Sequence, residues 1–194
     1  MSKKNKISLL NLAFTLCLIS VLAALMVGSV YKLTEEPIKQ AMNNKQLEAI
    51  KSVTGGDFDN NPFSEKIPVK LSDNSQVELY PARKNGQITY IAIKSSTNKG
   101  FGGNITMMVG MSVDGYINGY EVLEQQETPG LGTKISEKKF KEQFIGINPQ
   151  KVNIKLKKDG GDIDAITAAT ISSRAAVDAL DKAYNGYRKF NSGI

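Results

Sequence analysis

Residues 7–31 carry no charged side chain. A helix needs about 20 apolar residues to cross the hydrocarbon core of a bilayer, so this run reads as a transmembrane helix. The interspersed Asn11, Thr15, Ser20 and Ser29 are compatible with it, because a helix satisfies its own backbone. Lys3, Lys4 and Lys6 precede the run, and Lys32, Glu35, Glu36 and Lys39 follow it in near balance. The excess of lysine on the N-terminal side predicts a cytoplasmic tail at residues 1–6 and export of the remainder. A cleaved signal peptide is the competing reading; its apolar region spans about 7–15 residues, shorter than this one.

Beyond the span the pattern changes period. Thr34-Glu35-Glu36-Pro37 reads as a helix start, with proline in the first turn, and Gly55-Gly56 as its stop. Residues 57–66 read as a loop. Residues 76–80 and 87–94 read as strands joined through the tight-turn pair Asn85-Gly86. In the second strand Thr89, Ile91 and Ile93 alternate with Ile88, Tyr90 and Ala92, so both faces are apolar and the strand is expected to be central. Residues 105–112 and 116–124 form a hairpin about Asp114-Gly115. Residues 136–144 read as a short amphipathic helix. Val152, Ile154 and Leu156 alternate with polar residues as a last strand. In the final helix Ala176, Leu180, Ala183, Tyr187 and Phe190 recur at helical spacing, opposite Arg174, Asp178, Asp181, Asn185 and Arg188. Strands grouped without βαβ alternation predict an α+β domain with a mainly antiparallel sheet over residues 34–194.

Composition narrows the chemistry. The 194 residues contain no His, no Trp and one Cys. That excludes Ser-His-Asp and Cys-His catalysis, histidine metal ligands and cysteine-held iron–sulfur clusters, and it leaves no internal disulfide. Neither a catalytic set nor a metal site is expected, and redox chemistry would need an organic cofactor. The net charge is +6 with 7% aromatic residues. The densest basic cluster after the N-terminus, Lys155, Lys157 and Lys158, reads as a solvated face, and no nucleic-acid partner is expected.

Three stretches are candidates for binding. Asn98-Lys99-Gly100-Phe101-Gly102-Gly103 would let backbone approach a flat ring or a phosphate, or is simply a bulged hairpin turn. Glu127-Thr128-Pro129-Gly130-Leu131-Gly132 is a second glycine-rich loop. Asp164-Ala165-Ile166-Thr167-Ala168-Ala169-Thr170 follows Gly160-Gly161 and leads into the last helix. Thr170 thus falls at or just before a helix N-terminus, where free N–H groups and the helix dipole favour an anion. An ordinary Thr N-cap is the alternative.

The third stretch resembles the flavinylation motif Asp-x-x-Ser/Thr-Gly-Ala-Thr, whose last Thr is esterified to the phosphate of FMN by a flavin transferase. Asp164, Thr167, Ala169 and Thr170 match, and Ala168 stands where glycine is usual. Together with the anchor, the Pro37 helix, the two glycine-rich loops and the hairpin, this ordering resembles the FMN-bearing G subunit of the Rnf complex. The C subunit of the sodium-translocating NADH:quinone reductase is related, and the shortness of this chain favours the former. The resemblance implies an inner-membrane flavoprotein with one anchor and a periplasmic FMN domain. It would relay electrons within a complex that couples ferredoxin:NAD electron transfer to Na⁺ or H⁺ translocation, and it would not be catalytic alone. The implied partners are the other Rnf subunits and, during maturation, the transferase. Covalent FMN is expected on Thr170. Asp164, Thr167, Ala168, Ala169 and Ser172 surround it, and Glu127, Thr128, Gly130, Leu131, Gly132, Gly102 and Gly103 are expected around the rest of the flavin. Gln125 stands where many members have His. An anchored sensor or binding domain without covalent flavin, and a stand-alone exported flavoprotein reductase, are the alternatives.

Overall fold

The computed structural model describes residues 9–193, and the chain divides into two units between Asn44 and Lys45. Lys3, Lys4, Lys6 and the first two positions of the expected span lie outside the described residues. The first unit consists of helix α1 (Leu9–Thr54) up to residue 44. Among the described residues it is one helix long and apolar enough to cross a membrane.

The helix start expected at residues 34–37 does not exist: α1 continues through Pro37. The Thr34 hydroxyl bonds back to the carbonyls of Val30 at 2.9 Å and Tyr31 at 3.2 Å, instead of capping a new helix. Proline removes one helical bond, but its fixed φ is already helical, and the following Lys39, Gln40, Ala41 and Met42 all favour helix.

The second unit holds a five-stranded antiparallel sheet in sequence order: β1 (Ile67–Lys70), β2 (Gln76–Lys84), β3 (Gln87–Thr97), β4 (Ile105–Ser112) and β5 (Ile117–Glu124). The expected α+β architecture with an antiparallel sheet is therefore present, and β3 is its central strand. Asn85 and Gly86, at φ of 53° and 77°, form the β2–β3 turn, matching the primed geometry that strand twist demands. β1 was not anticipated, because its four residues are too short for alternation to register.

Each sheet face carries its own core. On one face Leu79, Ile91, Ile93, Met107, Val109 and Met111 pack with Ala175, Ala176, Ala179, Leu180 and Ala183 of the last helix, α3 (Thr170–Asn191). The run of alanines lets α3 lie close to the strands. On the other face Tyr80, Ala92 and Met108 pack with Ala49, Ile50 and Val53 at the end of α1. A Cβ at Gly110 would lie 2.1 Å from the Val53 carbonyl oxygen, so glycine sets this helix-to-sheet spacing.

Two further expectations need correction. Residues 136–144 are not one helix but a four-residue α2 (Lys138–Lys141) between 3-10 turns at Gly132–Ser136 and Glu142–Phe144. So short a segment cannot propagate a helix cooperatively. It is anchored by Phe140 and Phe144, whose ring centroids lie 5.4 Å apart, and by Tyr120 against Phe144 at 5.7 Å. The last strand at Val152, Ile154 and Leu156 does not form either; only an isolated bridge joins Leu156 to Ile163. Ile154 and Leu156 are buried as expected, but the backbone bonds across its own turn. Asp162 N–H donates to Asn153 at 2.9 Å, and Lys157 N–H to Ile163 at 2.8 Å.

Candidate functional site

The stretch 164–170 forms a tight loop locked to the first turn of α3. Ser173, fully buried, accepts the Ile166 N–H at 3.0 Å on its hydroxyl oxygen and donates to the Ala169 carbonyl at 2.9 Å. Ala169 N–H closes the loop onto Ile166 at 3.0 Å. Ala169 is the N-cap residue, at φ −136° and ψ 44°, with no side-chain capping bond. Thr170 is therefore the first residue of the helix, not its cap, and its hydroxyl is not used to satisfy the helix end. The free N–H groups of that turn are left to attract an anion.

Ala168 has φ of +62°, a left-handed conformation that costs a residue with a Cβ about 1–2 kcal/mol. Ala168→Gly removes that cost but loosens the unfolded chain, for a net gain of about 0.5–1 kcal/mol. Thermal unfolding should show Tm rising by about 1–4 °C. A lower Tm would mean that contacts of the Ala168 methyl outweigh its backbone strain.

The two glycine-rich loops meet at one carboxylate. Glu127, 5% exposed, accepts the Gly102 N–H at 3.0 Å on Oε1, while the buried Ser172 hydroxyl donates to its Oε2. Gln125 Oε1 accepts the Glu127 N–H at 2.7 Å, so the Gln125 side chain holds the loop. Space around the carboxylate is tight. A Cβ at Gly132 would stand 2.5 Å from both Glu127 Oε2 and Ser172 Oγ, and one at Gly102 would stand 1.8 Å from the Gln126 carbonyl oxygen. Gly130, at φ +73°, makes the sharp turn of the loop, and its N–H donates to Thr133 Oγ1 at 2.9 Å.

These elements enclose a cleft of about 370 Å³ lined by Phe101, Thr128, Leu131, Gly132, Ala168, Ala169, Thr170, Ile171 and Ser172. Seven sequence-predicted positions thus share one cleft. Glu127 and Gly102 form the layer behind its wall, while Gly103 and Gly130 shape the loops without lining it. Asp164 and Thr167 line a different depression, with Phe140, Gln143 and Ile166. Asp164 pairs with Lys157 at 2.8 Å, and its N–H donates to Gln143 Oε1 at 2.8 Å. It shapes the loop from outside.

Phe101 and Ile171 are cleft residues that sequence reasoning did not single out; an aromatic flanked by glycines was the available signal for the first. Phe101, Leu131 and Ile171 are 69%, 41% and 48% exposed, unusual for such side chains and suited to a flat apolar ring. Lys158, read as solvated, has its Nζ 3.5 Å from Thr170 Oγ1. An apolar cleft, a hydroxyl at an uncapped helix start and a neighbouring ammonium together have the chemistry that a flavin mononucleotide requires, apolar surface for a ring and an anion site for a phosphate.

Residues 100–185 match the FMN-binding domain family, a range that takes in the glycines of the first loop, all of the second loop and the Thr170 turn. The domain is thus of the FMN-binding type. The fold resembles that of NqrC from Shewanella oneidensis, with a TM-score of 0.51 over 62% of this chain and 61% of that one, at 20% identity. The G subunit of the ion-translocating oxidoreductase complex of Aliivibrio fischeri is 32% identical over 91% of this chain and 89% of its own length. That of Vibrio cholerae is 35% identical over 81% of this chain and 80% of its own. With that likeness running through most of both chains, the protein belongs to the family of G subunits of the ion-translocating oxidoreductase complex.

Proposed function

We infer that this chain is the flavin-bearing electron relay of an Rnf-type complex, with FMN held as a phosphoester on Thr170. The observation that carries this reading is the convergence of the Thr170 hydroxyl, the loop 127–132 and the turn 100–103 on one cleft. FMN bound there would supply electron transfer in steps of one or two electrons. The chain's own contribution is positional. Leu131, Phe101 and Ile171 offer apolar contact for the ring and exclude water from it. Glu127 ties the two loops to α3, and the first turn of α3 receives the phosphate. In this reading the chain relays electrons as one subunit of the complex and is not catalytic alone.

A covalent bond suits the proposed location. A dissociable FMN outside the cytoplasm would be lost by dilution, whereas a tethered one stays whatever its affinity. In this reading residues 1–6 are cytoplasmic, 7–31 cross the inner membrane, and 34–194 lie outside with the other complex subunits. A flavin transferase loads the chain during maturation.

Intact mass spectrometry of protein made alongside such a transferase should show one FMN added and one water lost. An unmodified mass would overturn the covalent assignment. A reporter active only in the cytoplasm, fused to the C-terminus, should give no signal, and strong activity there would reverse the orientation.

A further inference from the structure

The geometry points to Lys158 as the residue that holds the phosphate of the flavin ester, an inference that rests on the Thr170 assignment above. Three cations lie on the turn before the motif and on the first turns of α3, and two are already committed. Lys157 pairs with Asp164 at 2.8 Å. Arg174 grips Asp159 with two hydrogen bonds, at 2.8 and 2.7 Å, and thereby keeps the Asp159 carboxyl below its ordinary range. Lys158 makes no carboxylate pair among the described residues; its side-chain hydrogen bond is to the Thr170 hydroxyl at 3.5 Å.

That placement is built into the backbone. Lys158 sits in a 3-10 turn, Lys157–Asp159, closed by Asp159 N–H on Leu156 at 2.8 Å and terminated by Gly160 at φ +82°. A Cβ on Gly161 would stand 2.1 Å from the Lys155 carbonyl oxygen, so the chain returns tightly under the turn. The Asp159–Arg174 pair then fastens the turn to α3, four residues beyond Thr170. The turn is thus tied at both ends, and its one ammonium that makes no close carboxylate pair stands 3.5 Å from the hydroxyl that would be esterified.

A neutral hydroxyl gains little from an ammonium at this distance. A phosphodiester carries a full negative charge, and a charge-assisted bond to it is about twice as strong as a neutral one. The first-turn N–H groups of α3 address the same charge from the helix side. Between them the phosphate end of the cofactor would be held from two directions, which the single ester bond cannot do because it rotates.

The test compares wild type with Lys158→Met, Lys158→Arg and the remote charge control Lys138→Met, each loaded by a flavin transferase supplied with a flavin dinucleotide: the Thr170 oxygen bonds the FMN phosphorus, the phosphoanhydride bond breaks, and the nucleoside monophosphate leaves while the hydroxyl proton passes to solvent. Intact mass first establishes that wild type carries the flavin; without it the Thr170 reading fails, and this one with it. Given a loaded wild type, Lys158→Met should slow initial attachment about two- to five-fold at low salt, the range for one exposed charge pair. The difference should shrink toward unity near 1 M salt, where screening acts within about 3 Å. Lys158→Arg should restore the rate, and Lys138→Met should leave it unchanged. The ³¹P resonance of the attached phosphate should shift in Lys158→Met and not in Lys138→Met. Equal rates and an unmoved resonance in Lys158→Met, or a slowing that salt does not relieve, would overturn the role of Lys158 while leaving the ester assignment intact.

Discussion

Thr170→Ala is expected to yield a folded chain from which every trace of flavin is absent after denaturation. Three hydroxyls line the cleft, on Thr128, Thr170 and Ser172. That of Ser172 is buried and committed to Glu127, and that of Thr128 sits on an exposed loop before the five-residue 3-10 turn Gly132–Ser136, not on an α-helix. Only Thr170 places a hydroxyl that donates to no protein group in the first turn of a helix of 22 residues, where the dipole favours a phosphate. Its loss should cost the fold little. The hydroxyl caps nothing, alanine is the best helix former, and the change should stay within about 0.5 kcal/mol. Ultraviolet fluorescence of the denatured band, read beside an unchanged Tm, therefore separates chemistry from folding. Retained covalent fluorescence in Thr170→Ala would move the attachment elsewhere. Thr170→Ser keeps the hydroxyl at the same position and tests whether the transferase requires the methyl group.

Glu127→Ala should produce a large loss of stability. Its carboxylate accepts from Gly102 N–H in the first glycine-rich turn and from the Ser172 hydroxyl on α3. Hydrogen bonds to a charged group contribute about 1.5–3 kcal/mol each, and an orphaned buried donor carries its own penalty. A total loss of about 3 kcal/mol follows, lowering Tm by about 6–12 °C for a domain of this size. Glu127→Gln keeps one oxygen acceptor at the same reach and should lose roughly half as much. Because the carboxylate joins two walls of the cleft, the alanine variant should also broaden and shift the absorption spectrum of bound flavin. An unchanged Tm with an unchanged spectrum would mean that the walls hold without it.

Elements with a regular alternation were legible along the chain. The apolar faces of Ile91, Ile93 and Ala92 placed β3 at the centre, and Asp114-Gly115 and Asn85-Gly86 marked their turns, because turn chemistry and side-chain period are local properties. The errors came where a local signal met a competing partner. Thr34 had the makings of a cap, but its hydroxyl bonded within a helix already running. Ile154 and Leu156 alternated like a strand and are buried like one, yet their segment bonds to itself, and alternation cannot say whether a neighbouring strand is present.

The candidate site divides in the same way. Motif order and glycine placement drew attention to Thr170 and to both loops, since a hydroxyl before a helix and a backbone free of Cβ are visible residue by residue. The helix start at Thr170, the absence of histidine chemistry and the uncharged N-terminal span all follow from the order of residues. Which of these groups share a cleft follows only from the folded chain. Glu127 reaches Gly102 across 25 residues and Ser172 across 45, distances over which no periodicity carries information. The antiparallel sheet brings the β3–β4 turn beside the loop after β5, and α3 packs across the same face through its alanines. The same packing left Asp164 outside the cleft and set Lys158 against Thr170, because side-chain partners are chosen by proximity in space and not by spacing along the chain.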